Sequence, residues 1–198
     1  MSGKTIRRTG IFGGSFDPPH KGHLSIVKSW IRAGAFDRLM IIPAMLSPHK
    51  KTGYQASFNH RAEMCRIAFS GVPKAEISEI EKDLPIPSYT LKTVDELIRT
   101  YPEDDFFLCI GSDSLETISS WYKSDQLLEK TRLMVAERPG FDRSRVPEKI
   151  LRKTEFVEHD PVDISSTELR EELKRGKKPE MISGDVFDYI REHQLYLS

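Results

Sequence analysis

Six short β-type runs alternate along the chain with longer segments of helical periodicity, and this alternation restricts the fold more than any other feature. The runs are TGIFGG, RLMIIPA, AEISEI, DFFLCIG, RLMVAER and TEFVEHD. Several of them are continuously apolar, as expected for strands of a parallel sheet that is covered on both faces. Helices are predicted at residues 23–33, 89–100, 167–176 and 185–194. The alternation therefore predicts an α/β protein with an open, doubly wound parallel sheet.

The length of 198 residues is enough for one α/β domain with its own hydrophobic core. We predict a single domain over residues 1–198, with a Rossmann-like core at 1–163 and a small helical C-terminal subdomain at 164–198. Residues 44–57 form the longest segment without a periodic pattern. Loops of that length inside compact domains are more often functional than not, so we expect a role for this segment.

Charge and apolar content restrict the partners. The chain has 30 basic and 30 acidic residues, whereas a sequence-independent nucleic-acid binder carries a basic excess, so we expect no nucleic acid as the main partner. The longest apolar stretch, LMIIPAML, is too short to span a bilayer, and no apolar run follows the first basic residues. These features predict a cytoplasmic protein with no membrane partner.

Cys65 and Cys109 both lie in apolar surroundings, in EMCRIAF and FFLCIG. No CxxC spacing supports a zinc site, and a cytoplasmic chain disfavours a disulfide. We therefore expect both thiols to be reduced and buried in the core.

The stretch GGSFDPPHKGH is the strongest candidate for a binding site. Gly13 and Gly14 lie at the carboxyl end of the first predicted strand, where ligands of open α/β sheets bind. Glycines let a phosphate approach the backbone, and the helix that we expect to begin at His23 offers free N–H groups. The imidazoles of His20 and His23 add hydrogen-bond donors. The alternative is a tight strand–helix turn with two exposed histidines, and the His-x-x-His spacing with Gly22 beside the second ring disfavours it.

A second candidate site is ISSTELR, at residues 164–170. Ser165 with Glu168 three residues later forms a capping box, which marks a helix start. That start presents hydroxyls, N–H groups and Arg170 to a nearby phosphate. Taken alone, the motif is better explained as a plain capped helix with a surface arginine.

These motifs carry a resemblance to a known family. GSFDPPHKGH resembles the (His/Thr)-x-Gly-His signature of the nucleotidyltransferase superfamily, and ISSTELR resembles the Ile-Ser-Ser-Thr-x-(Ile/Leu)-Arg motif of small adenylyltransferases. Four further segments resemble the bacterial-type nicotinate mononucleotide adenylyltransferases. They are PHK at 48–50, PSYTLKT at 87–93, IGSD at 110–113 leading to SW at 120–121, and RPG at 138–140. The resemblance covers nearly the whole chain, in order.

The resemblance implies an enzyme that joins nicotinate mononucleotide and ATP into nicotinate adenine dinucleotide and pyrophosphate, in NAD biosynthesis. It implies His20 and His23 as catalytic residues, Mg²⁺ bound with ATP, and no dedicated metal ligands in the protein. The ATP-binding residues that it implies are Gly13, Gly14, Ser15, Phe16, His20, Gly22, His23, Gly111, Asp113, Ile164, Ser165, Ser166 and Arg170. The mononucleotide-binding residues that it implies are Lys50, Tyr89, Thr90, Trp121 and Arg138. The oligomeric state, including a homo-oligomer, stays open.

Several of these residues have a second interpretation. Asp113 is either a ribose-binding carboxylate or a helix N-cap, and Ser88 or Thr90 either caps a helix or leads into N–H groups that suit a carboxylate. Trp121 lies among polar residues, where its indole could stack on a flat pyridine ring, whereas Trp30 lies on an apolar helix face and is assigned to packing. Lys50 could equally be a solvated loop lysine.

Two other functions remain as alternatives. Phosphopantetheine adenylyltransferase shares both phosphate motifs, but its chains are typically shorter and give Trp121 and residues 138–140 no role. A non-catalytic nucleotide-binding regulator of the same fold is disfavoured because both His20 and His23 are present.

Overall fold

A computed structural model describes residues 6–48, 53–162 and 164–197. Its strands are β1 (Arg7–Gly14), β2 (Arg38–Pro43), β3 (Ala75–Ile77), β4 (Asp104–Gly111), β5 (Arg132–Glu137) and β6 (Thr154–Glu158). They form one sheet in the order β3-β2-β1-β4-β5-β6, and every neighbouring pair is parallel. The strand order reverses between β1 and β4, which is the position where open α/β sheets bind ligands. The predicted Rossmann-like, doubly wound sheet is confirmed.

Helices cover both faces of this sheet. They are α1 (Lys21–Arg32), α2 (Phe58–Phe69), α3 (Thr90–Thr100), α4 (Ser112–Thr117), α5 (Ser124–Lys130), α6 (Glu148–Leu151), α7 (Ser166–Lys174) and α8 (Gly184–Glu192). Three short 3-10 turns lie at Ile80–Asp83, Ile118–Ser120 and Arg143–Arg145. In the described part of the chain, none of the helices has both the length and the apolar character that crossing a bilayer requires.

Alternate residues of each strand enter two separate cores, because successive side chains of a strand point to opposite faces. Ile11 of β1 and Leu108 of β4 face α3, where they meet Leu97. Phe12 and Phe107, the neighbours of Ile11 and Leu108 in their strands, face α1 and α2. Both faces are therefore buried, which explains why these strands are continuously apolar.

A third core joins the C-terminal helices to α2. Leu169 of α7, Val186 of α8 and the buried Tyr196 pack against Met64 of α2. Cys65, the next residue of α2, belongs to the core under the sheet. Because α2 is buried on two sides, it lacks the single apolar stripe by which a surface helix is recognised, and the sequence pattern missed it.

The structure corrects two sequence-based boundaries. The run AEISEI was predicted as one strand, but β3 ends at Ile77 and residues Ile80–Asp83 form a 3-10 turn. The first helix was expected to begin at His23, but it begins at Lys21 with His20 as its N-cap. Cys65 and Cys109 are free and buried, as expected.

Candidate active site

Two cavities flank the carboxyl end of β1. The tryptophan cavity has a volume of about 460 Å³, and its wall includes Ile42, Glu81, Tyr89, Thr90, Thr93 and Trp121. The histidine cavity has a volume of about 410 Å³, and its wall includes His20, His23, Gly111, Arg138, His159 and Arg170. Ser15 lines both cavities, whereas Gly13 and Gly14 line the tryptophan cavity. Two ligands bound in these cavities would meet beside Ser15.

Backbone geometry brings the two histidines to the cavity. Phe16 has a positive φ of 47°, an uncommon conformation for a bulky residue. Its ring is fully buried and packs edge-on against Phe12, with 5.5 Å between centroids, and against His23, with 4.9 Å. A Cβ on Gly22 would lie 3.0 Å from the His20 ring, so glycine leaves room for that ring. Phe16 therefore supports the histidines from the core side.

His20 and His23 stack on each other with 3.8 Å between ring centroids. Burial lowers the pKa of His20 to about 4. The pKa of His23 is lowered well below its usual value, first by burial and then by the neighbouring His20. Both rings are therefore neutral near pH 7. His23 Nδ1 accepts a hydrogen bond from the backbone N–H of His20 at 3.2 Å, so its proton resides on Nε2. The pair offers neutral donors rather than a positive charge.

Asp17 anchors the loop that carries these histidines. Its buried carboxylate accepts hydrogen bonds from the backbone N–H groups of Gln55 and Ala56, at 3.0 and 3.1 Å, and from the Tyr196 hydroxyl at 2.8 Å. Burial, and then the negative charge of Asp17, raises the pKa of Tyr196, so its hydroxyl remains a donor. The third core is thereby tied to the loop before His20.

Two arginines hold the same loop through its carbonyl groups. Arg61 of α2 is 1% exposed, and its Nη1 donates to the Ser15 carbonyl at 2.8 Å. Arg170 of α7 is also buried, and its Nη1 donates to the Asp17 carbonyl at 2.8 Å. The interpretation of Arg170 as a surface arginine is therefore wrong.

The start of α7 is capped as the sequence predicts. Ser165 Oγ accepts from the backbone N–H of Glu168 at 3.3 Å, and the Glu168 carboxylate accepts from the Ser165 N–H at 3.0 Å. Ser166 Oγ donates to the Pro18 carbonyl at 3.1 Å, which fixes α7 against the histidine loop. Ile164 and Ser166 line the histidine cavity, whereas Ser165 is occupied by the cap.

The ends of β4 and β5 complete the histidine cavity. Gly111 lines it, and Arg138 Nη1 forms an ion pair with Asp113 Oδ2 at 3.0 Å on its exposed side. Arg138 was predicted to bind the mononucleotide, but it lies in the wall of the histidine cavity and not with Tyr89 and Trp121.

The tryptophan cavity brings together three of the predicted mononucleotide residues, Tyr89, Thr90 and Trp121. Tyr89 is the N-cap residue of α3, and its ring stacks on Tyr122 with 4.3 Å between centroids. Lys50, the fourth prediction for this ligand, lies outside the described residues.

The N-terminus of α3 has no side-chain cap. Ser88 was expected as a possible cap, but its hydroxyl accepts from the Leu46 N–H at 3.0 Å, and Thr90 is already the first helical residue. Within the described ranges, the N–H groups of Thr90 and Leu91 make no hydrogen bond. These two N–H groups are therefore available to donate hydrogen bonds to a ligand.

Glu81 is a residue of this site that sequence reasoning missed. It is 6% exposed and lines the tryptophan cavity. Its Oε2 accepts from the Met45 N–H at 2.9 Å, and its Oε1 accepts from the Thr93 hydroxyl at 2.8 Å. Glu81 thus links the loop after β2 to α3. Its partners are 36 and 12 residues away, so local patterns gave no signal for it.

No group of three or more His, Cys, Asp or Glu side chains within residues 6–48, 53–162 and 164–197 is placed to hold a metal ion. Among the described residues, the Asp17 carboxylate is engaged by three protein donors and the Asp113 carboxylate by Arg138.

Sequence comparison identifies relatives over nearly the full length. The cytidylyltransferase-like family profile matches residues 11–172. The chain is 37% identical over 196 residues to the nicotinate-nucleotide adenylyltransferase of Bacillus subtilis (strain 168), a match that covers 98% of this chain and 100% of that protein.

Solved structures share the fold. The nicotinic acid mononucleotide adenylyltransferase of Plasmodium falciparum, complexed with NaAD, superposes with a TM-score of 0.77 at 21% identity, over 96% of this chain and 97% of that one. The same enzyme complexed with APC gives a TM-score of 0.76, with the same identity and coverage. At this identity the likeness shows the fold alone.

Proposed function

The chain belongs to the cytidylyltransferase-like family, and from that premise we propose that it is a nicotinate-nucleotide adenylyltransferase. It joins nicotinate mononucleotide and ATP into nicotinate adenine dinucleotide and pyrophosphate, a step of NAD biosynthesis. One observation carries this assignment: two cavities of nucleotide size meet at Ser15, beside a pair of neutral, half-buried histidines. The similarity to the Bacillus subtilis enzyme supports it.

The reaction is an in-line displacement at the α-phosphorus of ATP. An oxygen of the mononucleotide phosphate forms a bond to that phosphorus, and the bond from the α-phosphorus to the oxygen bridging to the β-phosphate breaks. No general base is needed, because the attacking phosphate is already ionised. Such a transfer depends on alignment and on donors for the charge that grows on phosphate oxygens. The Nε2–H of His23 is such a donor.

The two substrates divide between the cavities. ATP occupies the histidine cavity, with its phosphates near His20, His23 and the start of α7. The residues proposed for it are Ser15, Phe16, His20, Gly22, His23, Gly111, Asp113, Ile164, Ser165, Ser166 and Arg170. Gly13 and Gly14 are also proposed for ATP, although they line the tryptophan cavity, because they directly precede Ser15, where the two cavities meet. The mononucleotide occupies the tryptophan cavity, with Tyr89, Thr90 and Trp121, and Lys50 is proposed as a further residue that binds it. Because Arg138 lies in the histidine cavity, it serves the ATP side.

Mg²⁺ enters with ATP in this proposal. The carboxylates near the loop are already engaged with protein donors, so phosphate oxygens and water supply its ligands. When bound, the ion neutralises charge on the pyrophosphate that leaves. His23 and the N–H groups around the loop then orient the α-phosphate. The location is cytoplasmic, which suits two free thiols.

A panel of acceptors tests the proposal. The protein is incubated with ATP and Mg²⁺ and, separately, with nicotinate mononucleotide, nicotinamide mononucleotide and phosphopantetheine. Pyrophosphate release and the mass of the product are measured. We expect nicotinate adenine dinucleotide to be the main product. Adenylylation of phosphopantetheine instead would assign the chain to the alternative enzyme, and ATP binding without turnover would support a regulator.

A further inference from the structure

His159 lies in the wall of the histidine cavity without a role in the proposed chemistry. It follows β6 directly, and its backbone N–H donates to the Glu137 carbonyl at 3.0 Å. The residue is 7% exposed, so its ring is held in one place. The same cavity wall contains the apolar side chains of Ile26, Pro161 and Val162, and Arg138 is close enough to His159 for its charge to act on the ring.

The hydrogen bonds of Ser29 indicate which nitrogen of His159 carries the proton. Ser29 Oγ donates its only hydrogen to the Ser25 carbonyl at 3.3 Å, and it accepts from Arg32 at 3.4 Å. Its contact with His159 Nδ1, at 3.1 Å, is compatible with either imidazole tautomer, and the tautomer with a hydrogen on Nδ1 satisfies all three contacts of Ser29. Burial, followed by the charge of Arg138, lowers the pKa of His159, so the ring is neutral. Nε2 is then a hydrogen-bond acceptor.

That acceptor has no protein partner. Within the described ranges no hydrogen bond reaches His159 Nε2, and Nδ1 is held on the α1 side by Ser29. The opposite edge of the ring is therefore the part available to the cavity. An acceptor in a cavity wall is matched when a bound ligand brings a donor to it.

The position of His159 indicates which part of the nucleotide supplies that donor. Ser29 lies on α1 six residues after His23, which is about 9 Å along the helix axis. Along the sheet, the histidine cavity extends from β1 over β4 and β5 to β6. His159 follows β6, which is the strand farthest from the loop that carries His20 and His23. When the phosphates of ATP lie beside His20 and His23, its adenine base extends to the apolar region around Ile26 and Val162.

We propose that His159 is a specificity-determining residue that accepts a hydrogen bond from the 6-amino group of adenine through Nε2. The inference rests on the proposed function, because it takes ATP as the occupant of the histidine cavity. A purine without the 6-amino group cannot make this hydrogen bond and binds more weakly. The loss of one such neutral hydrogen bond corresponds to roughly three- to tenfold in affinity.

A matched pair of variants tests this. The side-chain nitrogen of asparagine lies near the position of His Nδ1, so His159→Asn keeps the bond to Ser29 and removes the acceptor. The amide of glutamine reaches the position of Nε2, so His159→Gln retains an acceptor there. Calorimetry gives the Kd of ATP and of purine riboside triphosphate, which lacks the 6-amino group, for the wild type and both variants. We expect wild type and His159→Gln to favour ATP about three- to tenfold, and His159→Asn to bind both equally.

Two outcomes would overturn the inference. One is an unchanged preference for ATP in His159→Asn. The other is found with 2′-deoxyATP and 3′-deoxyATP: a preference for the hydroxylated ribose that vanishes in His159→Asn would place the acceptor on the sugar. Because binding is the readout, a wild type that binds ATP with this preference but forms no dinucleotide contradicts the proposed function alone.

Discussion

Two neutral imidazoles stand beside the proposed phosphate site because burial disfavours their charged forms. A cation there would bind ATP more tightly in the ground state as well as in the transition state. A neutral donor fixed in position contributes most where charge grows during the reaction. The hydrogen bond from the His20 N–H to His23 Nδ1 gives His23 the tautomer that this role needs.

His23→Ala is expected to lower kcat by roughly 10²–10³-fold, the usual cost of losing one preorganised donor, with a smaller change in KM for ATP. Steady-state kinetics measures both. His23→Gln, which places an amide nitrogen near the lost Nε2, should recover part of the activity. The control is His60→Ala, because His60 is bonded to Tyr189 and lines neither cavity. A near-normal kcat in His23→Ala would remove this residue from the mechanism.

The lowered pKa of His20 also predicts a pH-dependent stability. The unfolded chain binds more protons than the folded one between pH 4 and 6.5, so stability rises with pH across this window and is fully present above it. Acidification from pH 7 to pH 5 should cost about 2 kcal/mol through His20 alone. Urea denaturation at both pH values measures this. Over the same pH change, the His20→Gln variant should lose about 2 kcal/mol less stability than the wild type. Equal losses in the two proteins would contradict a neutral His20 in the folded state.

At the scale of the elements, the uncapped N-terminus of α3 is the feature that we expect to determine the choice of mononucleotide. The N–H groups of Thr90 and Leu91, together with the positive end of the helix dipole, favour the carboxylate of nicotinate over a carboxamide. The amide would bring its own donors to these donors, which costs about 1–3 kcal/mol per unpaired group. The ring of Trp121 can stack on either pyridine and supplies affinity without discrimination.

Trp121→Ala is therefore expected to raise KM for nicotinate and nicotinamide mononucleotides by similar factors, corresponding to roughly 1–3 kcal/mol of stacking. The preference for the acid should survive. The measurement is kcat/KM for each mononucleotide in wild type and variant, with Trp121→Phe as the conservative control. Equal use of both mononucleotides by the wild type would refute the role of α3, and a lost preference in Trp121→Ala would show that the indole also orients the ring edge.

The elements also show what the sequence could predict. The six strands of the described residues and the start of α7 follow from local patterns, because each depends on neighbours in the chain, although the third strand ends earlier than predicted. The helix α2 did not follow, because it is buried on two opposite sides. The site divides in the same way. His20 and His23 lie in one short motif, whereas His159 acquires its role from Ser29, 130 residues away, and Tyr196 from Asp17, 179 residues away.

At the scale of the whole molecule, the third core is tied to the loop before His20 by the Tyr196 hydroxyl, in addition to the bonds from Arg170 and Ser166 of α7. Tyr196→Phe keeps the packing but removes the hydrogen bond to Asp17. We expect kcat to fall roughly three- to tenfold, the effect of one lost hydrogen bond, because the loop before His20 is less firmly held. Tyr189→Phe is the matched control, since it removes the bond between α8 and His60 without touching the loop.

Kinetics and thermal unfolding of both tyrosine variants separate positioning from stability. If Tyr196→Phe and Tyr189→Phe lose similar stability, only Tyr196→Phe should lose kcat. Similar kcat values for the two variants would show that Tyr196 serves the third core and not the loop.

The bond between Asp17 and Tyr196 also sets an order of events during synthesis. A ribosome adds about 5–20 residues per second, so the hydroxyl emerges roughly 10–35 s after the carboxylate that it binds. By the end of that interval the nascent chain already contains all six strands and both histidines, whereas the bond between Tyr196 and Asp17 has not yet formed. The growing polypeptide can therefore assemble its sheet first, and the last anchor of the loop before His20 forms only when translation has passed Tyr196.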